Sequence, residues 1–279
     1  MLFRIFVLMV LAAAIFGGAW FAVHELYVRP QERLKADKAL PPPAPPPDPS
    51  IVEFEKFIRN RPVMTPDQAR KGIEQFIREF PSSTRRDAAY DILGDLNAAE
   101  FFAAKPDATN TYVVKTGDSI SRVASRTRVP TELLVHLNRL GKYVHPNQRL
   151  IAPPCSFRLV IEQKSRRVVL YNVDKFFRQY PAAVWPGSDQ KTVPHPKQSG
   201  RVTEKRAFKG GETVKTDKLG YFEADHMILI NISGFSLYTH SDDPGATDQR
   251  PPGGGIGLAP AHINEIAVLL PSGAQVSIE

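Results

Sequence analysis

The first apolar stretch of the chain, Ile5 to Val23, runs for nineteen residues without a charge; Arg4 precedes it and His24, Glu25 and Arg29 follow. At 1.5 Å per residue it makes about 28 Å of helix, roughly one hydrocarbon core. The pattern predicts a membrane anchor or signal-anchor within residues 1–28. A cleaved leader competes with it, since Gly17, Gly18 and Ala19 supply small residues, but Trp20 and Phe21 prolong the run beyond a usual leader core. Against an outward-facing carboxyl side stand Arg29, Arg33, Lys35 and Lys38, which follow the run, with only Arg4 before it.

Residues 29–50 form a linker, because PPPAPPPDPS at 41–50 favours an extended polyproline II spacer. From 51 to 107 the apolar period becomes helical. Ile51, Phe54, Phe57 and Ile58 make one stripe, and Ala69, Ile73, Phe76, Ile77 and Phe80 a second that starts at Thr65-Pro66. After Pro81-Ser82-Ser83 comes a third stripe, Ala88, Ile92, Leu93, Leu96 and Ala99.

Between 111 and 154 the order is strand, helix, helix, strand. Tyr112 to Val114 favour a strand and Gly117-Asp118 a turn. Ser119 caps a helix carrying Ile120, Val123 and Ala124, and Pro130 opens a second with Leu133, Leu134 and Leu137. Gly141 is expected to end that helix, and Pro146-Asn147-Gln148 to turn into a closing strand, Arg149 to Ala152. From 155 to 279 the pattern is mostly β: 157–162, 168–172, 176–184, 227–232 and 235–240, then a helix at 261–270 and a last strand at 275–278.

A hydrophobic share of 42% is enough for a globular core. The net charge of +7 favours an anionic partner, but the basic residues are scattered rather than gathered on one helix, so nucleic acid is not expected. Cys155 is the single cysteine, which excludes an intrachain disulfide and a cysteine-based zinc site. No metal or other cofactor is expected.

Three resemblances follow. Ala69 to Phe102, with FPSS and AAYDILGDLNAAEF, resembles a tetratricopeptide-type helical hairpin; one unit does not make an array, so 51–105 reads either as a spacer or as a docking surface for a protein partner. YVVKTGDSISRVASR, VPTELLVHLN and VHPNQRLIAP together resemble the LysM family along the whole of 111–154. That family binds N-acetylglucosamine polymers, and the resemblance implies a shallow groove with Gly117, Asp118, Ser119 and Ile120 on one side. Asn138, Arg139, Leu140 and Pro146 lie on the other. Asp118 also suits the turn and Asn138 the helix end, whatever else they do. Arg126 and Arg128 would suit an anionic wall.

The segment 155–279, through VVLYNVDKFFRQYPAAVW, ILINISGFSLYTHSDDPG, GGGIGLAP and PSGAQVSI, resembles the L,D-transpeptidase catalytic domain. In that family a histidine faces a Ser-His-Gly-Cys-Ile/Val-Arg loop. His240 and Gly254 keep their positions; the histidine, cysteine and arginine of the loop are replaced by Gly253, Gly255 and Gly257. Acyl transfer needs a thiolate and a base, which glycine cannot supply. Cys155 lies far upstream, and a displaced nucleophile is the alternative that keeps an enzyme. GGGIG ahead of a helix offers an anion cradle as a further option. The leading expectation is a cell-envelope protein, anchored in the inner membrane and facing the periplasm or wall, or secreted if its leader is cleaved. It would hold peptidoglycan through LysM, with a catalytically silent transpeptidase-like domain as scaffold.

Overall fold

The computed structural model describes residues 2–32, 48–186, 197–216, 220–241, 250–251 and 253–279. Its contacts separate two units, Met1–Asp48 and Pro49–Glu279. In the first, helix α1 (Leu2–Val23) passes into a π-helical turn, His24–Val28. Among the described residues no helix is long and apolar enough to cross a membrane, which corrects the expected N-terminal span and the anchoring built on it. Much of the proline-rich linker lies outside the described residues.

The second unit begins with three helices: α2 (Pro49–Asn60), α3 (Pro66–Glu79) and α4 (Arg86–Phe102). Thr65 and Gln68 form a reciprocal capping box at the start of α3, with Pro66 in its first turn. Phe54, Phe57, Ile73, Phe76, Ile92 and Leu93 close a small core between the three. On α4 the buried alanines are Ala89 and Ala98, while Ala88 and Ala99 face water. The stripe is rotated because α4 packs on two sides, against α3 and against a sheet edge.

The central module pairs β1 (Thr111–Val113) antiparallel with β2 (Arg149–Ile151) and places α5 (Ile120–Thr127) and α6 (Thr131–Asn138) between them. The expected order therefore holds. The helix α6 stops earlier than expected, because Arg139 takes the left-handed conformation (φ 49°) and ends it two residues before Gly141.

The remaining strands are β3 (Phe157–Glu162), β4 (Arg167–Asn172), β5 (Lys175–Pro181), β6 (Gln198–Lys209) and β7 (Glu212–Thr213). They are followed by β8 (Asp225–Ile230), β9 (Leu237–Thr239), β10 (Ile256–Leu258), helix α7 (Pro260–Leu269) and β11 (Gln275–Ile278). The sheet runs β10-β9-β8-β6-β11-β3-β4-β5, with β7 beside β6. Its β5 edge is covered by α4: the Asn97 side chain donates to the carbonyls of Phe176 (3.1 Å) and Phe177 (2.9 Å), groups that an open edge would leave to another chain. A single apolar core runs through both module and sheet, from Val123, Leu133 and Leu134 to Ile161, Leu170 and Ile266.

Candidate functional site

The two loops expected to form the glycan groove are neighbours. Val114, at the end of β1, donates its amide to the Gln148 carbonyl (2.9 Å) and accepts from the Asn147 amide (2.8 Å). This sets the 115–120 loop beside the 143–148 turn, where Asn147 takes a positive φ of 64°. Gly117 adopts φ 82°, a conformation that suits glycine, and Ser119 caps α5 by accepting from the Arg122 amide (3.2 Å). Gly117, Ser119, Arg139 and Pro146 are exposed, while Ile120 and Leu140 are half-buried against the core.

The two remaining groove positions are occupied by internal bonds. Asp118 accepts from the Lys115 amide (2.9 Å) and the Tyr112 hydroxyl (2.9 Å), and Arg126 pairs with its other oxygen. Its side chain is only 2% exposed. The Lys115 amide, then the Tyr112 hydroxyl and Arg126, hold this carboxyl below its usual range. Arg126 bonds both Asp118 and Tyr112 while its side chain stays 47% exposed. Asn138 donates to the carbonyls of Leu134 (2.9 Å) and Ile151 (2.8 Å) and accepts from the Ile151 amide (2.6 Å), tying α6 to β2. Asp118 thus builds its own loop and Asn138 ties α6 to β2, while Ile120 and Leu140 stay half-buried at the surface.

On the sheet, GGGIG is not a free loop. Ile256 to Leu258 form β10, parallel to β9, and Val184 bridges Gly257 from the other side. The amides of Gly254, Ile256 and Gly257 donate to Pro251, Ser236 and Val184, so three of the expected anion donors are already used. At Gly255 a β-carbon would collide with the Ser236 backbone oxygen and come within 2.9 Å of Pro251 Cγ. At Gly257 it would meet Val184 Cβ at 2.9 Å and His240 Cβ at 3.0 Å. Gly253 and Gly254, both at φ 85°, have no atom of the described residues within 4 Å of where a β-carbon would sit. His240 is half-buried and donates its amide to Leu258. A side chain at Gly255 or Gly257, where the resemblance expects cysteine and arginine, would thus require its neighbours to shift.

Cys155 lines a different cleft, of about 600 Å³, with Arg128, Ser156 and Arg158. Burial pushes its thiol up to about 11, so little thiolate exists near neutrality. Among the described residues no group of His, Cys, Asp and Glu is gathered that could hold a metal ion.

The family model of the LysM domain matches residues 112–153; the chain thus carries a LysM domain. No curated protein matches. Solved structures similar to this one include an L,D-transpeptidase from Mycobacterium smegmatis (11% identity, TM-score 0.31, 48% of this chain and 63% of that one). Another is a fused Zn-dependent amidase/peptidase/peptidoglycan-binding domain-containing protein from Clostridium acetobutylicum (19%, 0.30, 44% and 52%). A third is an L,D-transpeptidase from Xylanimonas cellulosilytica (13%, 0.29, 63% and 100%). The chain spans less than two thirds of the length of the first two.

Proposed function

We propose that this chain is a cell-envelope protein that grips N-acetylglucosamine-containing glycan, most naturally peptidoglycan, at the LysM loops. The domain match over 112–153 carries the reading. Exposed Gly117, Ser119, Arg139 and Pro146 and half-buried Ile120 and Leu140 are the proposed contacts. Apolar Ile120 and Leu140 suit sugar faces, and backbone amides suit N-acetyl groups. Asp118 serves this surface by holding the first loop in place, and Asn138 by tying α6 to β2.

In this reading the sheet domain is a scaffold without acyl-transfer chemistry. The packing at Gly255 supports this, since no nucleophile fits there without displacing the Ser236 backbone. The test is co-sedimentation of the full chain with purified sacculi. The chain should pellet with them and be released by soluble N-acetylglucosamine oligomers. A chain that stays in the supernatant, or that pellets regardless of the oligomer, overturns the proposal.

A further inference from the structure

Arg139 and Leu140, at the rim of the LysM loops, also line a second cavity of about 570 Å³ that the module does not form alone. Its other walls come from Phe102 at the end of α4, His136 and Leu137 on α6, and Phe222 in the 3₁₀ turn Tyr221–Glu223. The rings form a continuous series: Phe102 to His136 at 5.6 Å and His136 to Phe222 at 5.1 Å, both edge-on. Phe102, Leu137, Leu140 and Phe222 are half-exposed, so this apolar surface is offered to solvent inside a concavity. Arg139 and Glu223, both exposed, and Thr216 supply polar groups around it.

Such a composition, aromatic and aliphatic walls with a few polar groups at the edge, is what a pyranose ring needs. Its axial C–H face packs on rings while its hydroxyls and N-acetyl group reach the polar rim. The volume falls within the ~300–1,000 Å³ of small-ligand sites. The cavity shares two residues, Arg139 and Leu140, with the proposed groove.

We propose that this cavity is a further sugar subsite, in which the sheet domain, through Phe222, extends the LysM grip along the glycan. The proposal rests on the LysM reading of the groove. The LysM module and its scaffold would then select longer strands together, and the junction between them, rather than the emptied catalytic position, is where the sheet domain touches the wall.

Calorimetric titration of the full chain and of Phe222→Ala with short and long N-acetylglucosamine oligomers tests this. Phe222→Ala should weaken binding of the long oligomer about five-fold, the scale of one truncated contact residue, and leave the short one unchanged. Phe222 also packs against Tyr221, so Phe222→Trp provides a second readout. Its emission should change on saturation with the long oligomer and not with the short one. Equal affinities for Phe222→Ala and the unaltered chain, or an emission that ignores the long oligomer, remove the subsite alone. An unaltered chain that binds neither oligomer removes the LysM reading as well.

Discussion

Lys205 on β6 and Glu132 on α6 form an ion pair of 2.9 Å, with the lysine side chain only 4% exposed. The same ammonium donates to the carbonyls of Ala267 (3.0 Å) and Leu270 (2.9 Å) at the end of α7. A cation at a helix C-terminus is favourable, and these bonds satisfy carbonyls that the helix itself leaves unpaired. Lys205 thus fastens the LysM helix to both the sheet and its covering helix.

Removing one partner of that pair strands a buried charge. Glu132→Ala is expected to cost about 3 kcal/mol, the scale for breaking a buried pair. The measurement is a fall in the urea midpoint at unchanged slope. Because module and sheet share one core, the loss should appear in a single transition rather than as separate melting of the module.

Placing a cysteine at Gly255, where the resemblance expects one, should not create an enzyme. Gly255→Cys puts a side chain on the Ser236 carbonyl oxygen and against Pro251. Overpacking of this kind costs about 2 kcal/mol, since the nearest obstacle is backbone and not the end of a flexible chain. After incubation with a carbapenem, the intact mass of both the unaltered chain and Gly255→Cys should be unchanged. A stable adduct on the unaltered chain that disappears in Cys155→Ala would instead identify a displaced nucleophile.

What could be read in advance follows from how local each signal is. The stripe Ala69, Ile73, Phe76 and the capping Thr65 are set within one helix, and β11 was legible residue by residue as Gln275–Ile278. The LysM loops were legible because their groups lie within one short stretch. Strand β6 was not: its buried positions, such as Val202 and Ala207, are sparse, and a register shift between Val202 and Glu204 breaks the alternation. Strand β10 looks like a loop because glycines have no strand preference; only pairing with β9 and Val184 extends it. The closure of Gly255 depends on Ser236 and Pro251, and the pair Glu132–Lys205 on two segments far apart in the chain. Neither leaves a local mark. At the amino terminus the uncharged run suggested a span that the described helix does not provide.

Asn138 allows structure and binding to be separated. Its side chain bonds the Leu134 carbonyl and both the amide and the carbonyl of Ile151, joining α6 to β2. Asn138→Ala should therefore cost about 2 kcal/mol in stability, the penalty for stranded polar groups. Where the chain remains folded, at low temperature, its affinity for N-acetylglucosamine oligomers should stay within about two-fold of the unaltered chain. Leu140→Asp should do the opposite, lowering affinity on the order of ten-fold with a smaller loss of midpoint, because its half-buried side chain belongs to the proposed sugar surface.

Acid should loosen the sheet domain through His226. The residue is 2% exposed, its Nε2 lies 3.0 Å from the Tyr221 carbonyl, and its Nδ1 has no hydrogen-bond partner among the described residues. Burial lowers its pKa from 6.5 to about 4, the nearby Lys205 adding to the effect. The folded chain thus favours the neutral ring, and as pH falls below 6.5 the unfolded chain takes up the proton first. The stability present above pH 6.5 is lost progressively down to about pH 4, by about 2–3 kcal/mol when 1.36 kcal/mol per pKa unit is allowed for partial solvation. His262 and His136 are lowered by burial too and act with the same sign. Urea midpoints measured across that window should fall more steeply for the unaltered chain than for His226→Phe, whose ring cannot take up a proton. Parallel pH profiles for the two would remove His226 from this role.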